Sequence, residues 1–222
     1  MKKGLVVVGI LSFLLAGCST TGSSAKETDP EVQEISVSLP AELTTLDTTQ
    51  TTDKVTFTVI QHLFEGSYRF DEKSQPVPGL AEEAVISEDG KTYTFKLKEE
   101  AKWSDGQQVQ AADFAYAWKK LVDPKTMGPN AYLLDNVVNS QDIREGKADI
   151  ATIGLETPDE KTFVVHLEQL QPSFLSVVSI GWLAPQSQSY VEEKGTAYGK
   201  TSEDLLYTGP FILKDWQQTG AE

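Results

Sequence analysis

Residues 101–124 read AKWSDGQQVQAADFAYAWKKLVDP, and this order turns an extended segment into a helix. Ser104, Asp105 and Gly106 carry the chemistry of a tight turn, because aspartate hydrogen-bonds turn backbone locally and glycine accepts positive φ without a Cβ clash. After the turn, Phe114, Ala117, Trp118, Leu121 and Val122 recur at i, i+3, i+4, i+7 and i+8. That spacing lays one apolar stripe along a helix, and Pro124 stops it. A helix carrying two aromatic rings on one stripe must dock on another element, so a sheet is sought on either side.

Both flanks supply one. Residues 84–97 place Tyr93, Phe95 and Leu97 at alternate positions after Asp89-Gly90, and residues 153–167 repeat the pattern with Phe163, Val165 and Leu167 after a polar turn. Alternation with period two across a turn predicts a β-hairpin in each case. Two hairpins around a helix make a small α/β subdomain. No longer period links them, so they are not read as a tandem repeat.

Upstream, residues 34–39 alternate apolar and polar side chains and end at Pro40, which predicts a half-buried strand. Val55, Val59 and Leu63, with Ile60 and Phe64 beside them, predict an amphipathic helix stopped at Gly66. Thr51, Thr52 and Asp53 are candidate caps for its start. Downstream, residues 171–178 predict a short apolar helix opened by Gln171-Pro172-Ser173, and residues 190–194 another stopped by Gly195.

The N-terminus speaks to compartment. Lys2 and Lys3 precede an apolar run over residues 4–14, and Leu15-Ala16-Gly17-Cys18 follows. This is the pattern of a secretory signal peptide, too short and wrongly flanked for a persistent transmembrane helix. Cys18 is the only cysteine in the chain, so no internal disulfide can form. Its place after Leu-Ala-Gly resembles the bacterial lipoprotein box, which implies a thioether-linked diacylglycerol on Cys18 and cleavage before it. Residues 18–33 are then a flexible polar tether.

Particular words along the chain resemble family 5 extracellular solute-binding proteins, the oligopeptide receptors of ABC importers. They are Leu46-Asp47, Leu63-Phe64-Glu65-Gly66, Pro78-Gly79-Leu80-Ala81-Glu82, Lys102-Trp103-Ser104-Asp105-Gly106 with Ala111-Ala112-Asp113-Phe114, Asp123-Pro124-Lys125-Thr126, and residues 208–216. Six motifs in the expected order span the whole chain after the tether. Four departures stand out: Thr48 where the family has Pro, Ser67 where it has Leu, Gln110 where it has Thr, and Asn130 where an aromatic residue often follows Gly128-Pro129. Thr with Asp113 would close a capping box, so the start of the helix at Ala111 is expected to be weaker by about 1 kcal/mol unless another group caps it.

The resemblance implies a mixed α/β fold, the first lobe of a two-lobed periplasmic-binding-protein-like (type II) architecture. Its expected parts are a signal peptide over 1–17, the tether over 18–33, the start of a main lobe over 34–70, the small subdomain over 71–183 and a return to the main lobe over 184–222. Residues 208–216 are expected to form the return strand. Family members run to more than twice this length and cross into a second lobe, so the expectation is a truncated form lacking that lobe.

The resemblance also implies ligand contacts. The turn before the first helix presents backbone to bound peptide in the family, which makes Thr51, Thr52, Asp53 and Lys54 candidate contacts; the alternative is that they only cap the helix. Asn130 and Tyr132 are candidates at the cleft position, with a partly buried structural tyrosine as the alternative for Tyr132. The implied partners are an oligopeptide, a membrane-embedded ABC permease and the membrane itself through the acyl anchor, at the outer face of the cytoplasmic membrane. A signalling-peptide receptor would look the same. A surface lobe that contacts another protein without import is the alternative from a different class.

Composition narrows the field. The formal charge is −14, and removing Lys2 and Lys3 with the acid-free leader makes it −14 − 2 = −16. Such a surface lacks the basic stripe that nucleic-acid binding requires. No phosphate-binding glycine loop, Gly-x-Ser-x-Gly elbow or metal-spaced cluster is present in the sequence. His62 lies beside Leu63 near a helix end and His166 alternates with Val165 and Leu167, so each is assigned a structural or surface role. No enzyme activity, metal or cofactor is expected.

Overall fold

The computed structural model describes residues 33–216. The chain divides into a short unit ending at Ser38 and a compact unit from Leu39 onward. In the first, residues 33–38 are irregular, and Ile35 and Val37 are 67% and 72% exposed. The strand expected over 34–39 is therefore not formed. Alternation creates an apolar face, but a strand also needs a ladder and a surface to cover that face.

The compact unit opens with α1 (Lys54–Leu63), whose buried residues Thr56, Ile60 and Leu63 follow helical spacing. The helix ends three residues before the expected glycine stop, because Phe64 takes an extended conformation while its N–H still donates to the Ile60 carbonyl. Gly66 serves packing instead: a Cβ there would lie 3.1 Å from the Val178 carbonyl oxygen.

β1 (Tyr68–Phe70) and β2 (Pro76–Pro78) form a two-stranded antiparallel ladder that sequence reading missed. Two prolines lie in β2, and proline lacks the N–H that a ladder uses. The two expected hairpins are present. β3 (Val85–Ile86) pairs with β4 (Thr92–Lys96), and β5 (Leu155–Glu156) pairs with β6 (Thr162–His166). Antiparallel pairing of β4 with β6 joins them into one sheet of order β3-β4-β6-β5, with Tyr93 opposite Val165 and Phe95 opposite Phe163.

α2 (Ala111–Val122) docks on that sheet as its stripe demands. Phe114, Trp118 and Leu121 are 0%, 1% and 1% exposed. Phe114 stacks on Phe163, Trp118 meets the same ring edge-on at 5.0 Å, and the Trp118 indole N–H donates to the Leu183 carbonyl at 3.0 Å. The remaining helices are short: α3 (Ser140–Arg144), α4 (Phe174–Val178) and α5 (Gln188–Lys194), the last stopped by Gly195 at φ +51°.

The start of α2 shows how Gln110 is accommodated. Asp113 Oδ2 accepts the Gln110 N–H at 2.8 Å and the Trp103 indole N–H at 3.3 Å, and the Glu160 carbonyl accepts the Ala111 N–H. One carboxylate therefore ties the Trp103 turn to the helix. Burial pushes the Asp113 carboxyl up, against the downward pull of these two bonds.

Two apolar clusters result. One gathers the sheet, α2 and α4 around Phe95, Phe114, Trp118 and Phe163. The other gathers Leu46, Ile60, Leu63, Phe64, Ala184, Tyr198 and Tyr207, so it combines the beginning and the end of the compact unit. Residues 208–216 form no strand. The N–H groups of Gly209 and Phe211 donate to the Leu63 and His62 carbonyls, which are terminal acceptors that α1 cannot use itself. With its donors engaged on a helix end, the segment does not enter a sheet.

Candidate functional site

Residues 41–53 link the first apolar cluster contact at Leu43 to α1 without regular structure, and a shallow groove of about 350 Å³ opens along them. Residues 50–55 line it together with Ala41, Glu42 and Thr44. All four residues expected from the turn before α1, Thr51, Thr52, Asp53 and Lys54, lie on this lining.

They are not equivalent. Thr51 is 3% exposed, whereas Thr52, Asp53 and Lys54 are exposed. Asp53 is the N-cap of α1: Oδ1 accepts the Thr56 N–H at 2.7 Å, and Oδ2 accepts the Thr51 hydroxyl at 3.2 Å. Capping and groove lining therefore coincide at one side chain. Partial burial pushes the Asp53 carboxyl up, but the bonds from Thr56 and Thr51 outweigh it, and the group sits below the usual aspartate range.

A lowered folded pKa means stability that is fully present above the unfolded pKa and lost as pH falls through the folded one. Asp53→Ala is expected to cost about 1 kcal/mol at pH 7. The gap to wild type should stay level down to about pH 5 and narrow below about pH 4, near the unperturbed aspartate value. Urea unfolding at a series of pH values reads this. A gap that widened on acidification would remove Asp53 as an ionised cap.

The other two expected residues separate. Asn130 is 3% exposed, and its Nδ2 donates to the Thr51 carbonyl at 2.7 Å. It reaches the groove through the chain it holds. Tyr132, in the 3-10 turn Ala131–Leu134, is 55% exposed and does not line the groove. Cys18 lies outside the described residues.

A polar cluster that local sequence patterns did not reveal stands behind the groove. Lys120 of α2 places Nζ 2.8 Å from Asp47 Oδ2 and 3.0 Å from Gln186 Oε1, and 5.1 Å from the centre of the Tyr198 ring. Gln186 Nε2 donates to Asp47 Oδ1 and to Thr48 Oγ1, both at 2.9 Å. Asp47 Oδ1 also accepts the Thr49 N–H at 3.0 Å and hydroxyl at 2.7 Å. Burial pushes the Tyr198 phenol well up, with the charge of Asp47 adding to it. The residues come from sequence positions far apart, so only folding assembles them.

A larger hollow of about 440 Å³ lies beside Lys200, Ser202, Glu203 and Trp216. Its neighbouring phenols are engaged with the chain itself, Tyr190 on the Glu203 carbonyl and Tyr207 on the Ser202 carbonyl. The two histidines lie elsewhere. His62 Nδ1–H donates to the Thr58 carbonyl at 2.7 Å one turn back in α1. His166 bridges Thr92 Oγ1 at 3.2 Å and Glu156 Oε1 at 2.9 Å across the sheet, and neither hollow includes it. Among the described residues, no group of three or more His, Cys, Asp or Glu could hold a metal ion.

Residues 75–221 match the family described as bacterial extracellular solute-binding proteins, family 5 Middle. The dipeptide-binding protein of Lactococcus lactis subsp. cremoris is 36% identical over 208 residues, covering 94% of this chain and 36% of that protein. The substrate-binding domain of an oligopeptide ABC transporter from Bacillus anthracis superposes with TM-score 0.78 at 40% identity, over 79% of this chain and 34% of that one. Listeria monocytogenes OppA bound to peptide gives TM-score 0.78 at 36% identity, over 81% of this chain and 36% of that one. The chain thus spans about a third of the length of these relatives, and its fold is part of the type II binding-protein architecture.

Proposed function

Because the chain belongs to the bacterial extracellular solute-binding proteins of family 5, we propose that it captures oligopeptides outside the cytoplasm for delivery to the permease of an ABC importer. The observation that carries this is the groove along residues 50–55, set on a fold shared with a receptor described as bound to peptide. Its lining mixes short hydroxyl side chains with backbone, one ammonium at Lys54, and carboxylates at Glu42 and Asp53. Such a lining grips peptide main chain through hydrogen bonds and leaves side chains room to vary.

In this proposal Thr52 presents backbone and hydroxyl groups to the ligand, Lys54 and Asp53 meet its charges, and buried Thr51, held by Asn130, backs the lining. Residues 41–55 of the main lobe carry the groove, and Asn130 and Lys120 of the subdomain over 71–183 support them. Cys18 anchors the protein to the outer face of the membrane through acyl chains; the Leu-Ala-Gly-Cys sequence supports that step. Two or more chains are needed for stable anchoring. Among the described residues no helix is long and apolar enough to cross a membrane.

Calorimetric titration with an equimolar mixture of tri- to pentapeptides tests the proposal. Saturable binding is expected, weakened about 3- to 10-fold by Thr52→Val, the equivalent of one hydrogen bond. Absence of any saturable heat up to millimolar peptide would overturn it.

A further inference from the structure

The cluster behind the groove joins two distant side chains, Lys120 and Gln186, to each other and to the same loop. Lys120 projects from the last turn of α2, a helix whose Phe114, Trp118 and Leu121 are buried. Gln186, 1% exposed, is fixed to that helix by its own N–H, which donates to the Asp113 carbonyl at 3.2 Å. From these two points the bonds run to Asp47 and Thr48, and Asp47 in turn accepts from Thr49; all three loop residues are buried. Gln50, the next residue, lines the groove. On the far side Asn130 holds the Thr51 carbonyl. The strip 47–51 is therefore clamped from α2 at one end and from the 3-10 turn at the other, with no helix or strand of its own to hold it.

We propose that Lys120 is a positioning residue for ligand binding, fixing through Asp47 and Gln186 the conformation in which residues 50–54 face the groove. The proposal rests on the peptide-capture function assigned to that groove. The ammonium is suited to the task because it donates to two acceptors at once, and its side chain is only 18% exposed against 11% for Asp47. Water competes weakly at such a site, so the bonds hold geometry more firmly than surface pairs do. Removing the ammonium leaves the Asp47 carboxylate and the Gln186 carbonyl oxygen without their shared donor, and the loop can recover hydration only by moving outward. The Tyr198 ring beneath the ammonium adds a second attraction on the same atom.

The test compares Lys120→Met, which keeps length and removes charge, with Lys120→Arg, which keeps charge and donors. Amide hydrogen exchange is read in the whole chain at Thr49 and Gln50 and, as a reference, at Phe114 in α2. The same peptide mixture is titrated in parallel. The expected result for Lys120→Met is exchange at Thr49 at least 10-fold faster, Phe114 changed less than 2-fold, and peptide affinity about 10-fold weaker. Lys120→Arg should recover most of both losses. Lys120→Gln removes the charge but keeps a polar donor, so it should speed loop exchange by several-fold even if Lys120→Met does not fold. Unchanged loop exchange in these variants would overturn the proposal, and so would a loosened loop with unchanged affinity. A wild-type chain that binds no peptide would defeat the capture function, while exchange at Thr49 would still decide whether Lys120 holds the loop.

Discussion

Trp118→Ala is expected to lower the unfolding free energy by about 4 kcal/mol, in the range for deleting a large buried aromatic side chain. For a chain of this size that corresponds to a fall of about 10–15 °C in Tm. Three losses combine. The indole is 1% exposed, so its removal leaves a cavity in the cluster around Phe95, Phe114 and Phe163. The edge-on contact with Phe163 disappears, and that ring is the one on which Phe114 also stacks. Finally, the buried Leu183 carbonyl loses the indole N–H that it accepts. Trp118→Phe separates these effects. It retains most of the packing and loses the hydrogen bond, and should cost about 1–2 kcal/mol. Guanidinium unfolding of both variants reads the difference. If the two variants proved equally destabilised, the cavity would not be the main loss, and α2 would not be the centre of the core.

Gly199→Ala is expected to cost about 3 kcal/mol, and its effect should reach the groove. Gly199 has φ +75°, a region where an L side chain is strained by about 1–2 kcal/mol. A Cβ there would also lie 2.5 Å from the Asp47 amide nitrogen and 3.1 Å from its Cα. Those are backbone atoms, so nothing can swing aside, and overpacking adds a further cost of about 1–3 kcal/mol. The Gly199 carbonyl accepts the Leu46 N–H at 2.8 Å and the Thr45 hydroxyl at 3.3 Å, so pushing the strands of chain apart strips the loop of its support. Gly146→Ala is the matched control. It has φ +72° with open space where a Cβ would go, so it should cost only the backbone strain of about 1 kcal/mol. Equal losses at the two glycines would mean that the approach to Asp47 contributes nothing.

Sequence patterns foretold the elements whose signal is local. The stripe of Phe114, Trp118 and Leu121 is buried, and both hairpins form. The turn at Gly106 and the turn at Gly90 both use positive φ. The placement of residues 51–54 at the start of α1 was equally legible, since Asp53 is a capping residue before an amphipathic repeat. Two expected strands are not formed. Residues 34–39 carry alternation without a partner, and residues 208–216, expected as a strand from the family resemblance, give their donors to the end of α1. The expected weakness at Gln110 was offset by Trp103 and Gln110 sharing the Asp113 carboxylate, a contact ten residues long that no propensity scale contains.

The amino-acid sequence by itself determined helices α1 and α2, the hairpins β3–β4 and β5–β6, their apolar faces and the family the chain belongs to, because those properties depend on neighbours a few positions apart. Only the tertiary structure decided that the two hairpins share one sheet through β4 and β6, that Asn130 serves Thr51 rather than the open groove, and that Lys120 meets Asp47 and Gln186. The physical reason is range. A buried polar group takes whichever partner folding brings within about 3 Å, and residues 47, 120 and 186 carry no local mark of one another until the apolar clusters have drawn their segments together.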